Sequence, residues 1–283
     1  MYKLALYGSP HIQHSLSPQL HQYAAQLTNI DVDYQLIPCH AHQFSKYLEL
    51  NTHQLLGANV TNPHKIHAYQ ACDHLSIQAL QTQAVNTLIW QQELVYGDNT
   101  DVYGFLKGLE YALLRKKYAL TLDDIESILI IGTGGVTRAV LSVLSDMDKK
   151  KIHIIARSQS SIDRLQQHQS IMQNDHYYLL ANSTSLSSLK FDLVILATPP
   201  LSISFYDTIL TDIITYSKPF HPLIYDLNYG QRSQISQQWA ETLALDYSDG
   251  LMMLVAQGLS SFQQWTGHQV DEDLVYQHLK AIL

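Results

Sequence analysis

The chain is short of cysteine, short of cations and free of long apolar runs, and each shortage removes a class of protein. Cys39 and Cys72 are the only cysteines in 283 residues, too few for a disulfide framework. The 17 Lys and Arg are outnumbered by 25 Asp and Glu, for a formal net charge of -8. That balance argues against nucleic acid as the main partner, because phosphate backbones are held by clustered cations. A small anionic ligand stays open, since local charge decides its binding. No apolar run reaches the length of a membrane span. Residues 1–8, Met-Tyr-Lys-Leu-Ala-Leu-Tyr-Gly, read as a first strand rather than a signal peptide. A reducing, cytoplasmic compartment is therefore expected. Repeats and low-complexity segments are absent, and the many Gln and His are dispersed. What is present is a 46% hydrophobic complement, ample for one large domain or two ordinary ones.

The organising stretch is Ser127-Ile128-Leu129-Ile130-Ile131-Gly132-Thr133-Gly134-Gly135-Val136-Thr137. A short β-branched run ends in glycines and passes into a helical pattern with Ala139, Val140, Val143 and Leu144 on one side. Strand, tight turn and helix in that order let backbone N–H groups approach a pyrophosphate. Thr137 stands where the third glycine of the dinucleotide fingerprint usually sits. The same turn would also serve an ordinary βα unit. The next strand, residues 151–156, ends Ala156-Arg157-Ser158. An NAD site usually carries a carboxylate there for the ribose 2′-OH. A guanidinium with no acid beside it favours a 2′-phosphate, hence NADP.

Before that stretch, strands are expected at residues 2–7, 32–37, 57–61 and 84–90, the last with a hairpin partner at 93–97. Helices are expected at 19–27, 42–51, from Lys65 onward, and at 102–114. Ser15 and Ser17 lie two apart, so an extended backbone points both hydroxyls one way, suited to a carboxylate. Ser17 and Pro18 equally suit the N-cap and N1 positions of a helix. Lys65 falls just past a strand's carboxyl end, where α/β proteins bind ligands. Thr100 and Asp101 start a helix and could simply cap it. A polar connection spans 116–124. After the glycine turn come a helix at 158–173, strands at 177–181, 192–198, 223–227 and 245–247, and a helix at 233–242. Strands alternating with helices imply a parallel, doubly wound sheet. Residues 250–258 are too apolar for a free linker, and a last helix is expected at 272–283.

Seven pieces then recur in one family's order across nearly the whole chain. They are His14-Ser15-Leu16-Ser17-Pro18, Asn59-Val60-Thr61-Asn62-Pro63-His64-Lys65, Ala84-Val85-Asn86-Thr87-Leu88, Asn99-Thr100-Asp101, the glycine turn, Ala156-Arg157-Ser158, and Gln257-Gly258 with Trp265-Thr266-Gly267. Together they resemble the shikimate dehydrogenases. The resemblance implies an α/β protein of two domains with a cleft between them, over which the apolar tail would pack. Residues 1–101 with 250–283 would form an α/β substrate-binding catalytic domain. Residues 102–249 would form a Rossmann-like, doubly wound NADP-binding domain. The implied reaction is the NADPH-dependent, reversible reduction of 3-dehydroshikimate to shikimate, on the route to chorismate and aromatic amino acids.

The resemblance also assigns roles. Lys65 and Asp101 would stand at the reacting carbonyl, which needs a proton and a positive field; which of them donates the proton is open. Ser15 and Ser17 would hold the substrate carboxylate, with Tyr229 at the same end. Thr61, Asn86 and Gln257 would bond ring hydroxyls. NADP(H) would be held by Gly132, Thr133, Gly134, Gly135, Val136, Ala156, Arg157, Ser158 and Thr198, with Leu227 and Gly250 flanking the nicotinamide. The partner implied is this small molecule, without nucleic acid or membrane, for a monomer or homodimer.

Departures lie on the cofactor side. The family's usual Asn-Arg-Thr reads Ala156-Arg157-Ser158, and its frequent second arginine is Ser161, with Arg164 nearby. The family's Asn-Ala-Thr followed by Gly-Met is Leu196-Ala197-Thr198-Pro199-Pro200-Leu201-Ser202, without the loop glycine. These keep two alternatives in view: a quinate/shikimate dehydrogenase with relaxed NAD(P) choice, and a non-catalytic NADP-binding paralogue. Cys39-His40-Ala41-His42 and Cys72-Asp73-His74 carry zinc-type ligands, but their spacing fits no standard site, so no metal is expected.

Overall fold

The computed structural model describes residues 1–51, 54–116, 121–145, 147, 150–168 and 176–283. These form two compact units, Met1–Gly104 with Leu254–Leu283, and Phe105–Met253.

The sheet of the first unit is built from β1 (Tyr2–Gly8), β2 (Val32–Pro38), β3 (Gly57–Val60), β4 (His74–Leu75), β5 (Thr87–Gln91) and β6 (Leu94–Asp98), in the order β2-β1-β3-β5-β6-β4. Helices α1 (Ser17–Thr28), α2 (Phe44–Asn51), α3 (Lys65–Ala71), α4 (Ile77–Thr82) and α5 (Asp101–Leu114) link or follow the strands. β1 is buried on both faces, as a strand covered on each side must be. Its period of two sends Leu4 and Leu6 into one apolar layer with Tyr34 and Trp265. Ala5 and Tyr7 enter the opposite layer with Phe44 and Leu48. β1 runs parallel to β2 and β3, whereas β5 runs antiparallel to β3 and β6. The carboxyl ends of β1, β3 and β6 therefore share one edge with the amino end of β5. Every segment that leaves or enters the sheet there is a site candidate.

The second unit alternates strands with helices, except that a 3-10 helix (Leu180–Ser188) joins β9 to β10: β7 (Ser127–Ile131), α6 (Gly135–Ser145), β8 (Lys151–Ala156), α7 (Gln159–His168), β9 (His176–Leu179), β10 (Leu193–Leu196), α8 (Thr211–Ile214), β11 (Leu223–Asp226), α9 (Gln234–Thr242) and β12 (Asp246–Ser248). Its sheet is parallel throughout, in the order β12-β11-β10-β7-β8-β9. This is the doubly wound α/β sheet expected from the sequence. The strand order reverses between β7 and β10, the switch point where such sheets bind ligands. The chain ends with α10 (Leu251–Thr266), into which the apolar run from residue 250 folds, and α11 (Glu272–Ala281).

Several elements differ from expectation. The strand expected from residue 84 starts at Thr87, because Val85 N–H turns aside to the Lys65 carbonyl at 3.0 Å. Ser17 does not cap α1 but begins it. The Ser15 hydroxyl accepts from Ser17 N–H at 3.2 Å instead. The two-residue β4, α4 and the helical run through 205–214 have no clear signature in the sequence. In the last, Phe205, Tyr206, Leu210, Ile213 and Ile214 join the core under β10 and β11. Part of the 158–173 helix and of the 116–124 connection lies outside the described residues. Among the described residues, no helix is long and apolar enough to cross a membrane.

Candidate active site

Three connections at the common edge of the first sheet bring Lys65, Asn86 and Asp101 together. Lys65 opens α3 after β3, Asn86 immediately precedes β5, and Asp101 opens α5 after β6. The Lys65 Nζ lies 2.5 Å from Asp101 Oδ2, and both side chains are largely shielded from water. Asn86 Nδ2 donates to the other carboxylate oxygen, Oδ1, at 2.9 Å, and to Gln257 Oε1 at 3.2 Å. Gln257, on α10, donates from Nε2 to the Leu254 carbonyl at 2.9 Å. A cation and a carboxylate held in a low-dielectric edge attract each other far more strongly than on a wet surface.

Asp101 is free for this pairing because another residue satisfies the helix start. Asn99 Oδ1 accepts from Asp101 N–H at 3.2 Å, and Asn99 Nδ2 donates to Thr82 Oγ1 at 2.8 Å. The capping alternative for Asp101 thus falls to its neighbour, and the carboxylate turns into the site.

Behind the pair runs a buried polar cluster. Asn86 Oδ1 accepts from Thr100 N–H at 2.8 Å and lies 2.9 and 3.1 Å from the Thr87 and Thr100 hydroxyls. Ser261 Oγ lies 2.7 Å from Thr87 Oγ1 and 3.2 Å from Thr100 Oγ1, and donates to the Gln257 carbonyl at 3.0 Å. Asn59 Nδ2 donates to Ser261 at 3.0 Å, while its Oδ1 accepts from the Tyr34 phenol at 2.8 Å and meets His21 Nε2 at 3.1 Å. Burial pushes the His21 imidazole down to about 3, so it is neutral near pH 7, with the Asn59 bond opposing only part of that shift. Burial also pushes the Tyr34 phenol up. Sequence reading missed Ser261 as a site residue. Its signal was available, since Gln257 and Ser261 are four apart on α10 and so share a face.

Ser15 and Ser17 lie at the carboxyl side of β1. Ser15 Oγ donates to Ser17 Oγ at 3.1 Å, so the two hydroxyls do point the same way. Thr61 follows β3, with its N–H bonded to the Tyr7 carbonyl at 2.9 Å. Tyr229 belongs to the second unit, three residues past β11 and directly after Asn228, whose side chain donates to the Thr198 carbonyl at 2.9 Å.

In the second unit the remaining candidates lie where parallel strands end. Gly132 follows β7, Ala156 ends β8 before Arg157 and Ser158, Thr198 lies two past β10, and Leu227 follows β11. Gly132 has φ +116°, and a Cβ there would sit 2.4 Å from the Ala197 carbonyl oxygen. Only glycine allows that approach between β7 and β10. Gly134 is exposed and has nothing within 4 Å of where a Cβ would be. The turn through Thr133 is thus an open cradle at the start of α6, whose first residues are Gly135 and Val136. Thr137, in place of the third glycine, is buried and donates to the Gly132 carbonyl at 3.2 Å. Its hydroxyl reinforces the turn rather than blocking it. Arg157 and Ser158 are exposed; the Ser158 hydroxyl bonds that of Ser161 at 2.9 Å, and Arg164 Nη2 donates to Ser161 at 3.3 Å. Gly250 packs against Leu227, whose carbonyl oxygen would lie 2.4 Å from a Cβ. The Pro199-Pro200 loop is exposed, but its start is tied down. Asn228 donates to both Thr198 O and Asp226 Oδ1, the latter at 2.8 Å. Burial raises the Asp226 carboxyl despite donors from Ser236 and Asn228.

The two cysteines have separate environments. Cys39 Sγ lies 3.5 Å from His64 Nε2, and burial raises its thiol. Cys72 donates to the Ala68 carbonyl, and burial lifts it to about 12. Both are therefore protonated thiols without nucleophilic character near neutral pH. Among the described residues, no group of three or more His, Cys, Asp or Glu is placed to hold a metal.

The family model of the shikimate dehydrogenase substrate binding domain matches residues 6–88, and that of the shikimate 5′-dehydrogenase C-terminal domain matches 250–280. A protein of Vesicomyosocius okutanii named shikimate dehydrogenase (NADP(+)) is 31% identical, over 99% of this chain and 100% of its own. One of Prochlorococcus marinus with the same name is 30% identical, over 93% and 91%. Among solved structures, shikimate 5-dehydrogenase from Thermus thermophilus in complex with NADP(H) and shikimate superimposes with a TM-score of 0.79 at 23% identity, covering 100% of both chains. The Listeria monocytogenes enzyme in complex with shikimate and NAD does so with a TM-score of 0.82 at 21% identity, covering 99% and 96%. At these identities the solved structures share the fold.

Proposed function

Because the chain belongs to the shikimate dehydrogenase family, we propose that it catalyses the NADPH-dependent, reversible reduction of 3-dehydroshikimate to shikimate, on the route to chorismate and aromatic amino acids. The observation that carries this reading is the shielded Lys65–Asp101 pair, with Asn86 and Gln257 bonded beside it. A binding module has no need of a cation and carboxylate held in contact.

The first unit, under this proposal, binds the substrate, and the second binds the cofactor. Ser15 and Ser17 take the substrate carboxylate with their paired hydroxyls, and Tyr229 keeps its assignment to the same end of the molecule. Thr61, Asn86 and Gln257 meet ring hydroxyls, which suits a polyol acid because poorly matched ligands would leave those groups unpaired. Lys65 places its ammonium at the reacting carbonyl oxygen, stabilises the charge that grows there, and with Asp101 exchanges the proton. In the oxidative direction the same pair accepts the hydroxyl proton.

The residues present fit a dinucleotide. The open cradle at Gly132, Thr133 and Gly134, ahead of Gly135 and Val136, suits a pyrophosphate, and exposed Arg157 with Ser158 suits a 2′-phosphate. Ala156, Thr198, Leu227 and Gly250 line the same edge of the sheet. NADPH, when bound, supplies the hydride. The same reading makes the protein a cytoplasmic enzyme, monomeric or homodimeric, acting on a small molecule rather than on nucleic acid or membrane.

The test is shikimate oxidation followed by the absorbance of the reduced cofactor, with NADP and NAD side by side and then with quinate in place of shikimate. Turnover confined to shikimate with NADP is expected. Equal rates with NAD or quinate would move the chain to the relaxed sister activity. No turnover with any pair would overturn the reading.

A further inference from the structure

The polar cluster behind Asp101 contains more hydroxyls than a buried strand–helix contact requires. Thr87, Thr100 and Ser261 come from β5, the turn before α5, and α10, and each is almost wholly buried. Side-chain hydroxyls so far from water are costly unless each is bonded, and here Thr87 and Thr100 both reach Asn86 Oδ1 and each other, while Ser261 bonds the two threonines.

Counting protons settles the direction of the bonds. The Thr100 backbone N–H can only donate, and it points at Asn86 Oδ1 from 2.8 Å. That atom must therefore be the carbonyl oxygen, and the other end of the amide must be the NH2 group. Ser261 commits its single proton to the Gln257 carbonyl. It then accepts from Asn59 Nδ2, while the one proton of Thr87 is shared between two acceptors in reach, Ser261 Oγ at 2.7 Å and Asn86 Oδ1 at 2.9 Å. The Thr100 proton is left for Asn86 Oδ1. The NH2 group consequently faces Asp101 Oδ1 and Gln257 Oε1 with two donors. A flipped amide would set NH2 against the Thr100 N–H and an oxygen against the carboxylate, losing both sides at once.

We infer that Thr87, Thr100 and Ser261 are positioning residues, whose hydroxyls lock the Asn86 amide in the polarity that the Thr100 N–H selects and through it hold Asp101 against Lys65 and leave the second N–H of the Gln257 NH2 group, beyond the one bonded to the Leu254 carbonyl, as the donor available to a ligand. The inference deepens the proposed dehydrogenase function and rests on it for its kinetic readout. Ser261 links α10 to the Lys65–Asp101 edge, so the helix that carries Gln257 and the turn that carries Asp101 are set by the same hydroxyl.

The test is a double-substitution cycle with Thr100→Val, which keeps the volume and removes the hydroxyl. On its own it should lower kcat/KM for shikimate by about tenfold. Thr100→Ser should restore the rate to within about twofold of wild type. In an Asn86→Ala background, Thr100→Val should add less than about a twofold loss, because its effect passes through the amide that is already gone. A full tenfold loss in both backgrounds would overturn the inference, as would an unchanged single variant. A second readout does not depend on turnover: hydrogen exchange of the Asn86 side-chain NH2, followed by NMR in nitrogen-labelled protein. It should quicken in Thr100→Val and in Ser261→Ala while the melting temperature stays within a few degrees. Unaltered exchange in both would sink the positioning role even if the enzyme works as proposed. Wild-type protein without shikimate turnover would refute the function instead, and the exchange experiment would still decide the polarity.

Discussion

Removing the cation from the Lys65–Asp101 pair is the most direct perturbation of the proposed mechanism. In Lys65→Ala the Asp101 carboxylate keeps Asn86 as a donor but loses its counter-charge at 2.5 Å. Breaking a fully buried pair from one side costs about 3–5 kcal/mol. Here Lys65 retains some exposure and Asn86 remains, so a loss of about 2 kcal/mol is the reasonable figure. For a chain of this size that corresponds to roughly 3–4 °C in melting temperature. The catalytic loss is larger. Positioned proton transfer contributes about 10²–10⁴, and the electrostatic support of the developing alkoxide is lost with it. A fall in kcat of about 10³ corresponds to about 4 kcal/mol of barrier. Substrate binding should change little, because Ser15, Ser17, Thr61, Asn86 and Gln257 are untouched. The assays are steady-state oxidation of shikimate with NADP, calorimetric titration with shikimate, and a thermal melt. If folded Lys65→Ala protein still turned over within tenfold of wild type, the assignment of the pair to the reacting carbonyl would be wrong.

Three other outcomes follow from the same structure. Arg157→Gln should weaken NADP binding by about tenfold, the worth of a charge-assisted bond on an exposed side chain, while NAD binding, read by fluorescence titration, stays unchanged. Equal weakening of both would remove Arg157 from the 2′-phosphate. Gly132→Ala forces a Cβ to within 2.4 Å of the Ala197 carbonyl at φ +116°. It should cost about 1–3 kcal/mol of stability, seen as an earlier thermal transition, and abolish dinucleotide binding by calorimetry. An alanine variant with normal stability would contradict the tight β7–β10 approach. The third outcome concerns pH. The folded pKa of His21 is about 3, below its ordinary value of 6.5, so the unfolded chain binds more protons between those values. Stability from this group is complete above pH 6.5 and drains away as pH falls toward 3, by a few kcal/mol. His153, pushed down to about 4 by burial and by neighbouring His176 and Lys151, acts in the same direction. Urea midpoints should therefore drop between pH 7 and pH 4, and His21→Gln should flatten that slope; an equally steep slope in the variant would clear His21 of the role.

How much of this was legible beforehand depended on the range of the interaction. Local signals were reliable. The β-branched run into Gly132-Thr133-Gly134-Gly135 announced a strand, turn and helix, because period, propensity and missing Cβ atoms all act within a dozen residues. Ser15 and Ser17 do meet, but not through the extended backbone that their spacing suggested: Leu16 is in the helical region and Ser17 opens α1. Arg157 was placed just past a strand end from sequence alone, and it lies exposed directly after β8. The weaker failures were local too. A two-residue β4 has no periodicity to detect, and the start of β5 shifted because one backbone N–H found the Lys65 carbonyl.

What residue order by itself determined is the alternation of apolar strands and helices, the chemistry available at each strand end, and the family to which such an order of motifs belongs. Tertiary structure alone decided which of those groups meet. Lys65 and Asp101 are 36 positions apart, and Thr87 and Ser261 lie 174 positions apart. No local rule ties them, because a hydrogen bond depends on distance and direction, and both are set by strand order and register. The antiparallel return of β5 between β3 and β6 is what brings three separate turns to one edge. That return freed Asp101 from capping its helix, gave the cap to Asn99, and made the orientation of a single amide part of the site.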